Sequence, residues 1–442
     1  MAKKKMTIDD ELKARDYKTP SKFVWFFYNI LAHMPFFNGK YHVEYKKIDD
    51  INDCKGPAFI IWNHLSRRDY LFIKNVTHPK RYNMVAGYSE FHRSHLAWLF
   101  KIVKVIPKKN FSNDLLSIRA MTKVIKNNGT IAFSPEGMSS IYGCNQPIVP
   151  GTGRFLQFFH IPIYFVKLEG SYLTSNKVDI TDRPGKVTCT IYKLFDGEDL
   201  LKMTPEEIEN RINEEFRFND YAWNKTARIK FKSHGKNTSH LNDLIYKCPK
   251  CGKEFSIECE GNDIYCKECG YGATLNDYYD MIPLHEGDKM FDNPTEWFQW
   301  QRQVIIDEIR KDPNYTYKVR VKLGKLLNTR YLKKMKLSEI CGEGELIIDH
   351  AGIHYRSTKD GKEWQADMPY KTYYTGVIEN DCTILSMYID EVYYDFTPET
   401  NCMGKILLLI EEMHRYHYNT WKNFPWNDYM YEGKELGIDN KK

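Results

Sequence analysis

The feature that most constrains the fold is a series of short apolar segments separated by helix-like patterns between about residues 57 and 166. Strands that are apolar throughout are buried on both faces, and strands that alternate with helices form parallel sheets. A helical pattern fills 115–126. The apolar segments are residues 58–62, 71–73, 82–86, 130–133 and 161–166. The series predicts an α/β fold with a mostly parallel sheet, flanking helices and functional groups at strand ends.

The chain as a whole has the size and composition of a folded multidomain protein. Its 442 residues suffice for about three domains of ~150 residues each. Hydrophobic residues are 42% of the chain and charged residues 28%, which excludes wholesale disorder. The net charge of +6 suits anionic partners but is too small to indicate nucleic acid. No segment approaches the ~20 continuous apolar residues of a transmembrane helix, which excludes a polytopic membrane protein.

The N-terminal region predicts a cytoplasmic protein with one amphipathic helix. Acidic residues at 9–11 follow the lysines at 3–5, where a secretory signal would need an apolar core. Residues 23–34 then place aromatic and aliphatic side chains at helical spacing and end before Pro35, too short to span a bilayer. Such a helix is typical of segments that lie in the headgroup region of a membrane, and docking on the protein's own core is the alternative.

Four of the eleven cysteines form two Cys-x-x-Cys pairs, Cys248 with Cys251 and Cys266 with Cys269. Four thiolates at this spacing close a tetrahedral Zn²⁺ site that keeps no open position for catalysis. The pattern predicts a zinc ribbon with a structural ion in a reducing compartment, and Cys259 is a bystander. Acidic residues around the module argue against a phosphate-binding face, so no nucleic acid partner is expected.

The C-terminal region changes from helical to strand-like patterns. A capped helix starts at Asn293-Pro294, strands and turns alternate over 315–396, and a helix follows from about 402 to 421. This order predicts an antiparallel β module with a C-terminal helix and resembles the pleckstrin-homology (PH) or GRAM architecture. The expected units are an N-terminal membrane-associating helix (1–45), the α/β domain (46–240), the zinc ribbon (241–275), a linker helix (276–312), the β module (313–425) and a tail (426–442).

The apolar strand at 59–62 leads directly into His64, and Asp69 follows five residues later. A histidine at a strand end can act as a general base whose tautomer a carboxylate fixes. The structural alternative is that Ser66 caps a helix and Asp69 completes a capping box. Both arrangements are compatible.

A second strand, at 130–133, ends in Ser134-Pro135-Glu136-Gly137. Together with Asn63-His64 and Asp69, this motif resembles the glycerolipid acyltransferase superfamily, specifically the 1-acylglycerol-3-phosphate acyltransferases. Two further segments agree in order: 105–110, where the family carries a phosphate-binding arginine and this chain has Lys109, and 161–164. The resemblance covers residues ~55 to ~180 and implies the same α/β domain.

The resemblance implies transfer of an acyl group from acyl-CoA or acyl-carrier protein to a hydroxyl of a lysophospholipid, as in phospholipid biosynthesis. His64 would be the base and Asp69 would orient it. The other implied or expected substrate-binding residues are Glu136, Gly137, Lys109, Arg67 and Arg68. The implied location is the inner, cytoplasmic face of a membrane, as a peripheral protein.

One departure from the family weakens the assignment of the acceptor. Met138 and Ser139 follow Gly137 where the family has Thr-Arg, so the phosphate-pairing arginine is absent. The alternative function is a non-catalytic lipid-binding or scaffold protein that keeps the acyltransferase fold.

Overall fold

The computed structural model describes residues 6–33, 41–112, 114–332 and 338–418. Two helices come first, α1 Ile8–Ala14 and α2 Lys22–His33. Three sheets follow in chain order, one mixed and two antiparallel. No helix in these ranges is both long enough and apolar enough to cross a membrane.

The first sheet contains seven strands in the order β1-β7-β6-β2-β5-β3-β4. Five of its pairings are parallel, and only β6 with β7 is antiparallel. The strands are β1 His42–Lys47, β2 Phe59–Trp62, β3 Tyr82–Gly87, β4 Ile106–Lys108, β5 Thr130–Ala132, β6 Ile163–Glu169 and β7 Lys186–Phe195. The helices between and after them are α3 Asp69–Val76, α4 Ser94–Ile102, α5 Leu115–Lys126, α6 Thr152–Phe159, α7 Ser171–Thr174, α8 Gly197–Lys202, α9 Pro205–Phe216 and α10 Asp220–Ala227. The predicted mostly parallel sheet with flanking helices is confirmed.

Strand β2 shows why this sheet needs helices on both faces. All four of its residues are buried, and successive side chains point to opposite sides of the sheet. Phe59 and Ile61 join a cluster with α5, α6 and α9, while Ile60 and Trp62 join one with α2 and α3. The apolar segment at 71–73 is not a strand: it lies inside α3, because a run of three apolar residues fits a helix face as well as a strand.

The second sheet is a four-stranded antiparallel unit built around the cysteine pairs. Its order is β11-β10-β9-β8. The strands are β8 Ile257–Glu260, β9 Asp263–Cys266, β10 Gly272–Leu275 and β11 Met281–Pro283.

The third sheet is the predicted C-terminal β module, antiparallel throughout in the order β15-β14-β13-β12-β18-β17-β16. It lies between helices α11 Pro294–Lys311 and α12 Met403–Tyr418 in the sequence. The strands are β12 Thr316–Lys325, β13 Glu339–Asp349, β14 Gly352–Lys359, β15 Lys362–Met368, β16 Val377–Ile378, β17 Leu385–Ile389 and β18 Val392–Pro398. This order confirms an antiparallel sheet followed by a helix, and the likeness to PH or GRAM domains stays a prediction.

Several sequence expectations concern where units begin and end. Helix α9 begins with Thr204 as N-cap in a capping box with Glu207. The expected end of the last helix near Trp421, the tail at 426–442, and parts of the N-terminal unit lie outside the described residues. The division of the chain into domains at the expected boundaries stays a prediction.

Candidate active site

The candidate site lies where parallel strands of the first sheet end. Strand β2 leads to His64, β4 to Lys109 and β5 to Glu136, and the segment 171–177 follows β6. Because these strands are parallel, their carboxyl ends and the loops that follow them lie at one edge of the sheet. The sequence motifs are therefore brought to one edge.

His64 and Asp69 form the contact that the sequence predicts. The Nδ1 atom of His64 lies 2.8 Å from Oδ2 of Asp69, which is 1% exposed, whereas the His64 side chain is 29% exposed. Since the carboxylate only accepts, Nδ1 carries the proton and Nε2 is the basic nitrogen. Burial raises the pKa of Asp69 above its ordinary value, and the hydrogen bonds from His64 and Ser66 oppose that shift.

The helix-capping alternative is wrong about the cap, because Arg68 is the N-cap of α3 and has no side-chain cap hydrogen bond, but Asp69 and Ser66 do contact each other. The same Oδ2 of Asp69 accepts the backbone N–H of Ser66 at 3.1 Å. The Ser66 hydroxyl accepts the N–H of Arg68 at 3.0 Å and donates to the carbonyl of Ser175 at 2.8 Å. Helix α3 starts at Asp69, two residues later than the capping pattern predicts. One carboxylate thus orients the imidazole and closes the turn that carries it.

Glu136 joins the two motif turns through backbone contacts. Its carboxylate accepts the N–H of His64 at 2.6 Å and the N–H of Gln146 at 2.5 Å. Glu136 is 1% exposed, and burial raises its pKa to about 8. This geometry favours a positioning role for Glu136 over direct contact with an acceptor head group. The N–H of His64 is used in this contact, and the N–H of Glu136 donates to the hydroxyl of Ser134 at 3.3 Å, so neither is a free donor to an oxyanion.

Gly137 occupies a backbone conformation and a space that a side chain would not share. Its φ is +80°, in the left-handed region, and an added Cβ would lie 2.7 Å from the ring of Phe111. Its carbonyl accepts the side-chain amide of Asn110 at 2.7 Å. The loop that carries Lys109 therefore contacts the Glu136-Gly137 turn.

The loop that replaces the family's Thr-Arg is buried instead of facing a substrate. Met138 is 5% exposed and belongs to the apolar core of the C-terminal sheet. Four residues on, Tyr142 stacks on Phe298 of α11 at a centroid distance of 4.5 Å, and its carbonyl accepts the hydroxyl of Thr295 at 2.5 Å. The loop in which the family's arginine is missing therefore packs against α11 and the C-terminal sheet.

The three predicted cations have protein partners. Lys109 Nζ lies 2.5 Å from a carboxylate oxygen of Glu391, which belongs to the C-terminal sheet. Arg67 donates to the carbonyls of Asn176 and Ile180, and Arg68 pairs with Asp182 at 3.3 Å. The two arginines hold the 175–182 segment against the His64 turn, and their predicted contact with substrate stays a prediction.

Two buried polar residues support the site without having been predicted. The side-chain amide of Asn63 donates to and accepts from the backbone of Leu168 at 2.9 and 2.8 Å, which fixes the end of β2 against β6. The carboxylate of Asp220 accepts the N–H groups of Gly170 and Tyr172 at 2.7 and 2.6 Å, and burial raises its pKa to about 7. Asn63 stands next to the motif histidine, whereas no local signal marks Asp220.

The four predicted metal ligands come together. The sulfur atoms of Cys248, Cys251, Cys266 and Cys269 all lie within 4.8 Å of one another. Four thiolates at such distances match the donor set of tetrahedral zinc. The cluster therefore fits Zn²⁺, and it would hold the ribbon closed and take no part in acyl transfer.

The site is therefore a histidine–carboxylate pair at the carboxyl edge of a mostly parallel sheet, in an α/β domain. Residues 42–167 match the family model described as Acyltransferase. This match confirms the predicted resemblance for that segment. The match includes His64, Asp69 and the Glu136-Gly137 turn but not the ribbon or the C-terminal sheet.

The chain is also similar to solved structures. One of these is the crystal structure of the 1-acyl-sn-glycerophosphate (LPA) acyltransferase, PlsC, from Thermotoga maritima, with 19% identity, a TM-score of 0.37, and coverage of 44% of this chain and 76% of that chain. No curated protein gives a match to this chain.

Proposed function

We propose that the protein is an O-acyltransferase that moves a fatty acyl group from acyl-CoA or acyl-carrier protein to a hydroxyl of a lysophospholipid. The acceptor that the family resemblance implies is 1-acylglycerol-3-phosphate, and the reaction belongs to phospholipid biosynthesis. The observation that carries the proposal is the contact of 2.8 Å between His64 and Asp69 at the end of a parallel strand, inside the segment that matches the acyltransferase family.

In the proposed mechanism, Nε2 of His64 removes the proton from the acceptor hydroxyl as its oxygen attacks the thioester carbonyl. The tetrahedral intermediate carries an oxyanion, which the backbone N–H of Gly137 would stabilise. When the carbon–sulfur bond breaks, the imidazolium returns the proton to the leaving thiolate. Asp69 keeps Nδ1 protonated and stabilises the imidazolium, so no acyl-enzyme is required.

Membrane association is part of the proposal, because the acceptor and the product are lipids. One face of α2 is docked on the protein: Trp25 is 5% exposed and packs edge-on against Tyr82 at 4.9 Å. The opposite face is open, with exposed fractions of 71% for Phe23, 60% for Phe26 and 49% for Phe27. Aromatic side chains on an interfacial helix bury in the headgroup region. We infer peripheral attachment to the inner face of a membrane.

The proposal is tested by thiol release from acyl-CoA in the presence of a panel of lysophospholipids, with the acylated product identified by mass spectrometry. Acyl transfer to at least one lysophospholipid is the expected result. Absence of transfer from both acyl-CoA and acyl-carrier protein would contradict it.

A non-catalytic lipid-binding or scaffold role is the second candidate. It is favoured by one observation, that the loop with Met138 is buried in the core instead of presenting a cation. Vesicle binding without thiol release would support this alternative.

A further inference from the structure

The C-terminal sheet reaches the candidate active site through the turn between β17 and β18. The carboxylate of Glu391 in this turn lies 2.5 Å from Nζ of Lys109, and its carbonyl lies 3.4 Å from the same nitrogen. Lys109 follows β4 and stands where the family carries a phosphate-binding arginine. The turn therefore places a negative charge on the group expected to bind phosphate.

Lys109 lies between two aromatic rings. Its ammonium is 5.6 Å from the ring centroids of Tyr88 and Tyr388, one from each unit, and the side chain is only 17% exposed. The Glu391 side chain is 69% exposed, so the pair can be reached from solvent and an anionic head group can compete with Glu391 for Lys109.

The turn itself is built at a conformational cost. Asp390 and Glu391 both have left-handed backbone angles, with φ of +47° and +66°. This region favours glycine or asparagine, and β-hairpin turns of this kind are usually built from them. Glu391, at the second position, adopts a backbone conformation that is less favourable for it than for glycine, and its side chain contacts Lys109.

A second carboxylate–cation pair, Glu379 with Arg93, joins the C-terminal sheet to the acyltransferase domain. Glu379 of the C-terminal sheet faces Arg93, which precedes α4, at 3.9 Å, and also accepts the hydroxyl of Tyr393 at 2.6 Å. Carboxylates from the C-terminal sheet thus meet cations of the acyltransferase domain at two points. The contacts are electrostatically matched and add to the apolar packing around Tyr142.

We propose that Glu391 is a specificity-determining residue for the acceptor head group, an inference that rests on the proposed phosphate-binding role of Lys109. A phosphomonoester brings two negative charges and must compete with the Glu391 carboxylate for Lys109. A zwitterionic phosphodiester head group brings one negative charge together with a positive one and is opposed less. Glu391 therefore disfavours 1-acylglycerol-3-phosphate relative to acceptors such as lysophosphatidylcholine.

The test compares Glu391→Gln with the parent protein and with Asp390→Asn, which removes the neighbouring charge in the same turn without removing the Lys109 contact. KM is measured for 1-acylglycerol-3-phosphate and for lysophosphatidylcholine. Glu391→Gln is expected to lower the first KM about tenfold and the second less than twofold. Asp390→Asn is expected to leave the ratio of the KM for 1-acylglycerol-3-phosphate to the KM for lysophosphatidylcholine near the parental value. An unchanged or raised ratio in Glu391→Gln, or the same change in both variants, would overturn the proposal.

A binding measurement separates this inference from the proposed enzymatic function. Calorimetric titration with sn-glycerol 3-phosphate needs no turnover, and it should show a lower Kd for Glu391→Gln than for the parent and Asp390→Asn. Equal Kd values in the three proteins would contradict the role of Glu391 even if acyl transfer is observed. Absence of thiol release would contradict the enzymatic function and leave the titration decisive.

Discussion

The side chain of Glu136 accepts a hydrogen bond of 2.6 Å from the backbone N–H of His64, 72 residues earlier in the chain. The second oxygen of the same carboxylate accepts the N–H of Gln146 at 2.5 Å. A buried carboxylate with two backbone donors fixes the loops that it joins, because each donor would otherwise stay unsatisfied. The position of the imidazole therefore depends on a residue that does not contact its ring.

Glu136→Gln should reduce both stability and activity. The amide keeps one accepting oxygen but turns an NH₂ group toward the second backbone N–H. Leaving one buried donor unsatisfied costs about 1–3 kcal/mol of unfolding free energy. We expect a lower Tm and slower thiol release. Glu214→Gln, at a side chain that is 53% exposed, is the control and should change the unfolding free energy by less than about 0.5 kcal/mol. An unchanged Tm in Glu136→Gln would contradict the positioning role.

The titration of Glu136 predicts how the Tm difference between the parent and Glu136→Gln depends on pH. Burial raises its pKa from 4.5 to about 8, so between these values the folded state binds more protons than the unfolded state. The protonated Glu136 side chain therefore contributes to the free energy of unfolding below about pH 4.5, and this contribution is lost as pH rises toward 8. Glu136→Gln does not titrate, so the Tm difference between parent and variant should narrow from pH 5 to 8. A difference that stays constant would show that Glu136 is ionised throughout that range.

The ribbon should contain one structural zinc ion per chain. Apolar packing links it to the active site, because Cys248, Cys266 and Leu65, the neighbour of His64, belong to one buried cluster. Cys248→Ser should therefore lose the metal in elemental analysis, lower the Tm and reduce thiol release. Cys259→Ser, a cysteine outside the four-sulfur cluster, should retain the ion. Zinc retained at full stoichiometry in Cys248→Ser would contradict this assignment.

The exposed face of α2 should attach the protein to vesicles. Burying each phenylalanine contributes about 1.5–3 kcal/mol, so Phe26→Glu with Phe27→Glu should weaken binding roughly 100-fold or more. In flotation with anionic liposomes, the parent should rise with the vesicles and the double variant should stay at the bottom. Phe158→Glu changes a side chain that is 70% exposed on α6 and should float like the parent. Flotation of the double variant would exclude α2 as the anchor.

The features that the sequence predicts well are those with local signals. The helix predicted to start at Asn293-Pro294 does so, with Asn293 as its N-cap. Local signals of the same kind are the capping box of Thr204 at the start of α9 and the Asp360-Gly361 turn that joins β14 to β15. In that turn, φ values of +52° and +75° are those that an Asp-Gly hairpin favours. The short apolar run inside α3 was ambiguous, because three residues carry too little periodicity to separate a strand from a helix.

The contacts that the sequence does not predict join distant segments. Lys109 and Glu391 are 282 residues apart, and the role of Glu136 as a bridge becomes visible only when both of its backbone partners are placed. Ser139 stands where the family has an arginine, and the burial of both Met138 and Ser139 shows that this loop is part of the core. No local pattern encodes such packing between units.

The most direct test of the central claim is the rate of thiol release from acyl-CoA by His64→Ala, measured beside the parent with the acceptor that the parent prefers. Asp69→Asn serves as a second variant, because it weakens the orientation of the ring but keeps a side chain of the same shape. If His64 is the base, its removal should lower kcat by about 100- to 10,000-fold in a protein that remains folded. Equal rates for the parent and a folded His64→Ala protein would contradict the account.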